Sequence, residues 1–525
     1  MPFKNELTYL NAAAKKKEAE FHSRYEKALE AELADLNKPQ THENIIDGKK
    51  VKGRKTAPKV SPSDRTLVLG NFQLGTKEDV NSAVKAAWKA FQDWSEKDYT
   101  ERVEVFERAA KLFQRNKYQL AAALTLDNGK NRYEAMADID EAIDFMYYYS
   151  DQMRAHEGYT TPLPQAYKEE RSQSLLRPYG VWSVVCPFNF PVAISIGMST
   201  AAMLTGNTVV LKPSTLAPYA LHKAYALLEE AGLPPGVANF VAGSGKEVGA
   251  AMTSHPKVEG IVFTGSKEVG FDIMRHAVRE HSIPVIAEMG SKNPVIVTLA
   301  AEMEHAAAGV ISSTYGYGGQ KCSACSRLYV DRRIIEEFEE LLVDKAEALK
   351  VCDPGEKDCN YGPIIEEGKV QDYLSYAAQG RKDGKVLCGG KRITQGGLDK
   401  GNFVEPMIIS KLPHEHELIK KELFMPVLCT QPFDTLKEVL LKANDSVYGL
   451  TAGIFTEDEE EIDYFFHHIQ SGVVYANRKR GACTGAMTGA QSFVGWKASG
   501  STGKGAGGVY YLQQFLREQT RTVAW

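Results

Sequence analysis

Short apolar runs alternate with amphipathic stretches through the middle of the chain. The apolar runs, each of a length typical of a buried strand, lie at 206–212, 237–241, 260–264, 284–288 and 294–298. Between them, segments at about 216–232, 246–254 and 267–280 carry apolar residues at helical spacing. Buried strands joined by helices predict an α/β fold with a doubly wound parallel sheet, in which ligands bind at the carboxyl ends of the strands.

A second α/β block follows between about residues 305 and 475. Strands are expected near 327–330 and 472–474, and a helix is expected over 333–349. The chain therefore contains two successive α/β blocks, which fits the roughly three domains expected for 525 residues.

The amino-terminal part of the chain is predicted to be mostly helical up to about residue 150. Residues 8–36 are highly charged and predict a solvated surface helix. Thr76-x-x-Asp79 resembles a capping box, and it precedes Val80, Val84 and Trp88 at helical spacing. We expect a helix to begin there.

Two outlying segments have the composition of strands. Residues 159–185 are β-rich and contain three prolines, which favours a hairpin outside the main core. The tail, 506–525, ends in alternating aromatic and polar residues that suit a strand pairing with a partner subunit. A frayed terminus is the alternative for this tail.

Composition and charge exclude several classes of function. Hydrophobic residues make up 43% of the chain and charged residues 25%, as in an ordinary globular protein. The formal net charge of −4 gives no sign of a nucleic-acid partner. No apolar run approaches the roughly 18 residues needed to cross a bilayer, and the first residues lack an apolar signal region. We expect a cytoplasmic protein without a membrane or nucleic-acid partner.

The cysteines and histidines do not predict a metal site. The eight cysteines follow no disulfide framework, which favours free thiols in a reducing cytosol. Cys322 and Cys325 form a C-x-x-C pair, but no second pair follows at zinc spacing. In HEHE, at 414–417, the two histidines fall on opposite faces of a strand, so a solvated charge cluster is favoured. We expect no bound metal.

Cys322 has the surroundings of a nucleophile. It lies in GYGGQKCSACSR, where small neighbours leave room for a carbonyl group and where Lys321 and Arg327 are expected to favour the thiolate. A buried inert thiol is the alternative. Glu288, 34 positions upstream at the end of an apolar run, adds a carboxylate that can activate water. Together they predict a covalent acyl intermediate that is released by water.

Three further motifs are compatible with a nucleotide and an oxyanion. Lys212 ends a strand, where it can reach a ribose or phosphate, although a solvated lysine is equally compatible. Ser266, in FTGSKEVG, follows a strand and opens a helix whose amino terminus can hold a pyrophosphate. Asn189, in CPFNFP, can donate to an oxyanion or satisfy the turn backbone. Each motif alone is a weak signal, because none has the GxGxxG spacing.

Taken together and in this order, the motifs resemble the aldehyde dehydrogenase superfamily over nearly the whole chain. The matching segments are FNFP, GNTVVLKPS, AGLPPGVANFV, FTGS, EMGSKNP, GQKC and ELFMPV. GQKCSACSR and the opening PFKNE further resemble the pyrroline-5-carboxylate dehydrogenases of that superfamily, which oxidise L-glutamate γ-semialdehyde to glutamate.

The resemblance implies a role for each matching residue. Cys322 would be the nucleophile, Glu288 the general base, and Asn189 with the Cys322 backbone N–H the oxyanion hole. The cofactor-binding positions would be Lys212, Ser214, Thr215, Gly265, Ser266, Glu422 and Phe424, and the substrate-binding positions would be Ser323, Gly485 and Ala486. The cofactor would be NAD, with NADP possible because Thr215 stands where relatives often carry a glutamate.

Other departures from the family pattern bear on the substrate more than on the chemistry. Met425 replaces a glycine, SFVGW at 492–496 replaces PFGGF, and the approach to the anchor loop is longer than usual. The expected function is therefore NAD(P)-dependent oxidation of L-glutamate γ-semialdehyde through a cysteine thioester, in proline catabolism. The alternatives are a dehydrogenase for another aldehyde or semialdehyde, and a non-catalytic protein on the same fold.

The resemblance also implies a division of the chain into domains. The expected nucleotide-binding domain, a Rossmann-type parallel sheet with a helical amino-terminal region, covers 1–158 and 177–287. A second α/β domain, the catalytic one, covers 288–480. A hairpin and tail at 159–176 and 506–525 would form a small β element for homo-oligomerisation, and 481–505 would hold the anchor loop and a return segment.

Overall fold

Helices fill the amino-terminal quarter of the molecule and then alternate with strands. The computed structural model describes residues 8–38, 40–53, 55–278, 280–479 and 487–525. The α-helices of these ranges are α1 (Thr8–Ala14), α2 (Glu18–Asp35), α3 (Lys77–Trp94), α4 (Tyr99–Arg115), α5 (Lys117–Asn128), α6 (Arg132–Ala155), α7 (Ala193–Leu204), α8 (Tyr219–Glu230), α9 (Ala250–Thr253), α10 (Lys267–His276), α11 (Met303–Tyr315), α12 (Ile335–Glu347), α13 (Glu367–Asp383), α14 (Glu417–Lys420), α15 (Leu436–Asn444) and α16 (Glu459–His468).

The strands of the described residues form five sheets, two with seven strands and three with two or three strands. In chain order they are β1 (Thr41–His42), β2 (Asn44–Ile46), β3 (Lys49–Val51), β4 (Thr56–Val60), β5 (Val68–Gln73), β6 (Thr160–Leu163), β7 (Glu170–Pro178), β8 (Val181–Val185), β9 (Thr208–Lys212), β10 (Ala238–Phe240), β11 (Gly260–Gly265), β12 (Val285–Met289), β13 (Asn293–Val297), β14 (Cys325–Asp331), β15 (Lys385–Cys388), β16 (Met407–Ser410), β17 (Val427–Phe433), β18 (Tyr448–Gly449), β19 (Thr451–Phe455), β20 (Val473–Ala476), β21 (Trp496–Lys497) and β22 (Leu516–Ala524).

The first large sheet confirms the predicted doubly wound α/β fold. Its seven strands run in the order β12-β11-β8-β9-β10-β2-β3, and the five strands from β12 to β10 are parallel. Thr264 pairs with Glu288, and Val185 pairs with Lys212. Because these strands are parallel, their carboxyl ends lie along one edge of the sheet.

The second large sheet has the order β15-β16-β17-β14-β13-β19-β20. Every neighbouring pair from β16 to β20 is parallel, and β15 alone joins antiparallel. This sheet comes from the second alternating block of the sequence, where strands were predicted near 327–330 and 472–474. Both predicted strands are present, as β14 and β20.

The carboxyl-terminal tail pairs within its own chain. β22 lies antiparallel to β7 over nine residue pairs, from Leu516–Pro178 to Ala524–Glu170, and β6 completes a three-stranded sheet. The tail is therefore a strand rather than a frayed end. β22 lies at the edge of this sheet, and its residues after Leu516 are exposed.

The predicted amino-terminal capping box is present. Thr76 Oγ1 accepts a hydrogen bond from the Asp79 backbone N–H, and Asp79 Oδ2 accepts one from the Thr76 N–H at 2.8 Å. The helix predicted over 8–36 is instead two helices, because Lys16 has a φ of +56°, which ends α1. The helix predicted over 246–254 begins as a π-helix, Gly245–Gly249, before α9.

Large aromatic side chains fill the core between the first sheet and helices α4 to α7. Trp182 of β8 is fully buried and packs against Phe515 with ring centroids 4.6 Å apart, which attaches the last segment of the chain to this core. Among the described residues, no helix has both the length and the apolar character needed to cross a bilayer.

Candidate active site

A cavity of about 650 Å³ lies between the carboxyl edge of the first large sheet and the amino edge of the second. Its volume suits a small-molecule ligand. Most of the residues expected at a site line it, namely Asn189, Ser214, Gly265, Ser266, Glu288, Cys322, Ser323, Glu422 and Phe424. The two sheets therefore bring residues that are far apart in the sequence to one place.

Cys322 lies in a turn just before β14, and Asn293 fixes the backbone of that turn. Asn293 Nδ2 donates to the carbonyl oxygens of Cys322 at 2.7 Å and of Ala324 at 2.8 Å. Its Oδ1 accepts from the Thr451 N–H of β19 at 2.9 Å. Asn293 lies within EMGSKNP, but the sequence does not indicate this role, because its contacts are made across neighbouring strands.

The surroundings of Cys322 favour the neutral form of its thiol. Burial raises its pKa above the usual value, and the nearby carboxylates of Glu422 and Glu288 raise it further. The expectation that Lys321 and Arg327 favour the thiolate is wrong. Lys321 Nζ contacts Glu134 at 2.7 Å, and the Arg327 guanidinium donates to the carbonyl oxygens of Lys292 and Ala443.

Glu288 lies in the wall of the cavity near the end of β12. Its Oε2 is buried and makes no hydrogen bond to any described residue, and burial raises its pKa well above the ordinary value. The Met289 N–H donates to the Ser499 carbonyl at 2.9 Å, and the Ala287 N–H donates to Ser501 Oγ at 2.8 Å. Segment 499–501, which the sequence did not single out, thus positions the strand that carries Glu288.

Asn189 lies in the loop after β8 and faces the turn of the nucleophile. It is 4% exposed, and its Nδ2 donates to the carbonyl of Gln320 at 3.0 Å, two residues before Cys322. Asn128 Nδ2 holds the same loop through the Phe188 carbonyl at 3.1 Å. A side-chain amide carries two N–H groups, so one remains for an oxyanion beside Cys322.

The turn from β11 into α10 fits a pyrophosphate. β11 ends at Gly265, where a Cβ would collide with the Phe263 ring, so glycine lets the backbone approach the cavity. Ser266 is the amino-terminal cap of α10, and its hydroxyl accepts from the Val269 N–H at 3.4 Å. The free N–H groups of this helix end and its dipole both favour an anion.

Glu422 and Phe424 enter the cavity from the second sheet. Glu422 Oε1 accepts from the Ser291 N–H at 2.7 Å, and burial raises the pKa of Glu422 to about 7. A side chain at Gly290 would collide with this carboxylate. Phe424 has a φ of +58°, and its ring meets that of Phe188 edge-on at 5.8 Å. A carboxylate and an aromatic face placed in this way suit a ribose and a planar ring.

The remaining expected residues are placed differently. Lys212 is 5% exposed, its Nζ donates to the Pro213 carbonyl at 2.9 Å, and burial lowers its pKa. Neither Lys212 nor the exposed Thr215 lines the cavity, although Ser214 between them does. Gly485 and Ala486, expected to bind a substrate carboxylate, lie outside the described residues.

Glu141 is a second acid in the cavity wall that the sequence did not reveal. It is 5% exposed on α6, lines the cavity and contributes to the raised pKa of Cys322. In the sequence it is one acid among many on a charged helix, so only the fold distinguishes it.

Lys420 lies between the acidic side chains at and near the HEHE segment, 414–417. Within the described chain, His414, Glu415 and Asp445 are close enough to share an ion. Lys420 Nζ lies 2.5 Å from Asp445 and 3.2 Å from Glu415, so an ammonium group neutralises these carboxylates. This agrees with a solvated charge cluster.

Comparisons with known proteins point to one family. The model of the aldehyde dehydrogenase family matches residues 49–521. The 1-pyrroline-5-carboxylate dehydrogenase of Bacillus licheniformis is 37% identical over 507 residues, which cover 95% of this chain and 96% of that protein. The 1-pyrroline-5-carboxylate dehydrogenase 2 of Bacillus subtilis is 37% identical over 91% of this chain and 92% of its own length.

Solved structures agree in fold over the same length. The structure of 1-pyrroline-5-carboxylate dehydrogenase from Thermus with bound NAD matches with a TM-score of 0.90 and 34% identity, and covers 95% of this chain and 96% of that one. The betaine aldehyde dehydrogenase of Staphylococcus aureus in complex with NAD+ matches with a TM-score of 0.89 and 28% identity, over 95% and 97% of the two chains. The family model and the full-length relatives together establish that this chain belongs to the aldehyde dehydrogenase family.

Proposed function

We propose that this protein oxidises L-glutamate γ-semialdehyde to L-glutamate with NAD, through a thioester on Cys322, as a step of proline catabolism. One observation carries the proposal: Cys322, Glu288 and Asn189 line a single cavity that also reaches the amino terminus of α10 and the Glu422 carboxylate. The similarity to 1-pyrroline-5-carboxylate dehydrogenases over nearly the whole chain supports the choice of substrate.

The first step is the attack of sulfur on the aldehyde carbon. The Cys322 thiol gives its proton to solvent, and its sulfur adds to the carbonyl to give a tetrahedral hemithioacetal anion. The Asn189 amide and the backbone N–H of Cys322 donate to the oxygen that gains charge. Asn293 keeps the Cys322 backbone in place during this step, through its hydrogen bond to the Cys322 carbonyl.

A nicotinamide nucleotide fits the other end of the cavity. Gly265 and Ser266 would hold its pyrophosphate. Glu422 and Phe424 would position the nicotinamide ribose and the nicotinamide ring. Ser214 lines the cavity beside Lys212 and Thr215, which would meet the adenosine ribose. When bound, this group supplies the two-electron oxidation of the hemithioacetal to the thioester.

Hydrolysis of the thioester completes the reaction. Glu288 takes a proton from water, which attacks the thioester carbon, releases the acid and leaves the Cys322 sulfur to be protonated again. Burial raises the pKa of Glu288, so its carboxylate, when ionised, is a stronger base than that of an ordinary glutamate.

The polar groups near Cys322 suit an amino-acid aldehyde. Glutamate γ-semialdehyde carries an ammonium and a carboxylate. Glu141 offers a carboxylate to the ammonium from the cavity wall, and Ser323 offers a hydroxyl to the carboxylate. Gly485 and Ala486 remain the proposed backbone donors for the same carboxylate.

An aldehyde panel assayed separately with NAD and NADP tests the proposal. We expect kcat/KM for glutamate γ-semialdehyde to exceed that for aliphatic and aromatic aldehydes by at least about 100-fold, because only the amino acid engages both charged ends of the site. Cys322→Ala should lose dehydrogenase activity, whereas Cys325→Ala, which changes the other thiol of the C-x-x-C pair, should retain it.

Glu288→Gln separates the two halves of the reaction. We expect a burst of reduced nucleotide followed by slow turnover, with acyl-enzyme visible by mass spectrometry. A wild-type protein that reduces neither nucleotide with any aldehyde contradicts the whole proposal. Equal kcat/KM for all aldehydes contradicts the proposed substrate but does not contradict the proposed reaction class, aldehyde oxidation.

The proposed organisation of the chain is based on the two seven-stranded sheets and on the sheet formed by β22, β7 and β6. We infer a nucleotide-binding domain over 1–158 and 177–287, a catalytic domain over 288–480, and an oligomerisation element over 159–176 and 506–525, with 481–505 as anchor loop and return segment. The exposed edge of β22 supports a homo-oligomer, because an unpaired strand edge is a template for a second copy. We also propose a cytoplasmic location, which cell fractionation tests.

A further inference from the structure

Residues 350–361 form a loop whose two ends are hydrogen-bonded to each other. The Asn360 N–H donates to the Lys350 carbonyl at 2.9 Å, and the Lys350 N–H donates to Asn360 Oδ1 at 2.7 Å. Val351 and Tyr361 form an isolated β-bridge. The backbone is therefore closed on itself at the base of this loop, which lies on the path between α12 and α13.

Cys352 and Cys359 lie just inside that base, one on each side of the loop. Cys359 Sγ lies 3.2 Å from the Cys352 carbonyl and 3.2 Å from the Tyr361 carbonyl. The two thiols lie within hydrogen-bonding reach of each other, and a disulfide requires such proximity. Both side chains are buried, and Cys352, 6% exposed, is the more accessible of the two, since Cys359 is 2% exposed.

The amino-terminal end of α6 makes hydrogen bonds that fix the position of this loop. Asn131 Nδ2 donates to the carbonyls of Cys359 at 3.0 Å and of Asn360 at 2.8 Å. Tyr133 Oη donates to the Lys357 carbonyl at 2.9 Å. These contacts are to the backbone on the Cys359 side, so they do not depend on the state of either sulfur.

The two thiols also differ in acidity. A hydrogen bond from the Cys359 thiol lowers the pKa of Cys352, and the Lys350 ammonium favours the same thiolate. Cys359, which gives that hydrogen bond, has a raised pKa. Burial raises the pKa of the other thiols in the described chain, which are Cys186, Cys322, Cys325, Cys388 and Cys429. Cys352 is thus the thiol of this set that is best prepared to attack an oxidant.

We propose that Cys352 and Cys359 form a second thiol site, a dithiol that low-molecular-weight disulfides oxidise reversibly to an intramolecular disulfide. The Cys352 thiolate attacks one sulfur of the oxidant, forms a mixed disulfide and expels one thiolate. Cys359 then gives up its proton and attacks Cys352 Sγ, which expels the second thiolate. Two protein thiols are oxidised, and one small disulfide is reduced to two thiols. This site is separate from the cavity that holds Cys322.

Peptide mapping after treatment with oxidised glutathione tests the proposal directly. Trypsin cuts after Lys350, Lys357 and Lys369, so Cys352 and Cys359 fall on different peptides, 351–357 and 358–369. We expect a linked pair of these peptides, two hydrogen atoms lighter than their sum, that disappears on reduction. The experiment uses the full-length protein in a Cys322→Ser background, so that oxidation of the nucleophile does not compete.

Two single variants and a second probe complete the test. In Cys359→Ser, glutathione is expected to remain attached to Cys352, because the resolving thiol is absent; in Cys352→Ser, neither peptide should be modified at comparable rate. Phenylarsine oxide, which needs two adjacent thiols, should bind once per chain at this site and not to either variant. Glutathione retained on Cys352 in the parent protein, or a linked pair that involves other cysteines instead, overturns the proposal. The readout is mass, so it does not depend on the proposed dehydrogenase reaction.

Discussion

Burial controls the ionisation of the side chains around Cys322. The thiol of Cys322 and the carboxyl of Glu288 both have pKa values raised first by desolvation, and Glu422 follows the same pattern. These groups therefore release their protons at a higher pH than the free side chains do. Loss of these protons, and with it nucleophilic attack and hydrolysis, becomes easier as the pH rises.

Glu288→Gln is expected to raise stability more at pH 8 than at pH 5. Folded Glu288 keeps its proton at a pH at which the unfolded chain, with a glutamate pKa of about 4.3, has released it. Wild-type stability therefore falls as pH rises between the two pKa values, by up to about 1.4 kcal/mol per pH unit. Glutamine removes this loss. Melting temperatures of both proteins from pH 5 to 9 measure the difference.

The exposed Glu340 provides the control for this pH series. Glu340→Gln should change the melting temperature by a similar small amount at each pH, because its side chain lies at the surface. If Glu288→Gln behaves in the same way as Glu340→Gln across the series, burial does not raise the pKa of Glu288.

Asn293→Ala is expected to lower kcat by about 100-fold, the effect of a displacement of roughly 1 Å at a reacting group. The variant loses the hydrogen bonds that hold the Cys322 and Ala324 carbonyls. Asn239→Ala is a matched control, since Asn239 is fully buried, donates to the Gly236 carbonyl at 2.8 Å and accepts from the Asp47 N–H at 3.0 Å. Active-site titration with an alkylating agent gives kcat per functional thiol in each variant. An equal loss of kcat in both would contradict a specific role for Asn293.

The sequence identified the reacting residues better than it identified the residues that position them. Cys322 and Glu288 stand out because each breaks a local pattern, a thiol among small residues and an acid that ends an apolar run. Asn293 acts through contacts across strands, and segment 499–501 acts from more than 200 positions away, so no local pattern reveals them. The prediction that Lys321 and Arg327 favour the thiolate failed because nearness in sequence does not determine where a side chain points. Both side chains contact other partners.

At the scale of elements, the apolar runs between helices predicted strands well. Each of the five runs became a strand, with bounds that shifted by at most two residues, but the run at 294–298 became β13 of the second sheet. The expectation that 159–185 lies outside the main core is wrong for its last part, because β8 lies between β11 and β9 in the first sheet. A periodic pattern cannot distinguish a π-helix from an α-helix at 245–249, nor can it show that β22 pairs first with β7 of its own chain. Those outcomes depend on tertiary neighbours rather than on local preference.

Deletion of residues 516–525 is expected to abolish oligomer formation while leaving the two large sheets folded. The deletion removes β22, whose exposed edge is the proposed interface between two copies. It also leaves β7 without the strand with which it forms nine residue pairs. Light scattering gives the mass, and circular dichroism gives the helix content. Replacement of the same residues by an equally long Gly/Ser sequence is the control for chain length. An unchanged mass in the truncated protein would place the interface elsewhere.

At the scale of the whole molecule, the cavity joins two sheets that each supply half of the proposed cofactor site. Gly265 and Ser266 belong to the first sheet and its helix, whereas Glu422 and Phe424 precede β17 of the second. A ligand that contacts both halves stabilises the folded chain as a whole, by an amount set by its concentration relative to its Kd.

The rise in melting temperature caused by NAD is therefore expected to be larger at pH 8 than at pH 6. The pKa of Glu422 is about 7, so its carboxylate, the stronger acceptor for ribose hydroxyls, predominates only above that pH. Glu422→Gln should give a smaller rise that no longer depends on pH in this range. A pH-independent rise in the wild-type protein would show that Glu422 does not hold the nucleotide.

The hydrogen bonds between the strand of Glu288 and segment 499–501 also bear on biosynthesis. Ser499 and Ser501 are made more than 200 residues after the strand that they hold in place. A nascent chain can complete its first sheet and expose its thiol long before its base is fixed in position. A product that ends before residue 499 would therefore carry the thiol without its base in a fixed position, and it would release slowly any aldehyde that it captures as a thioester.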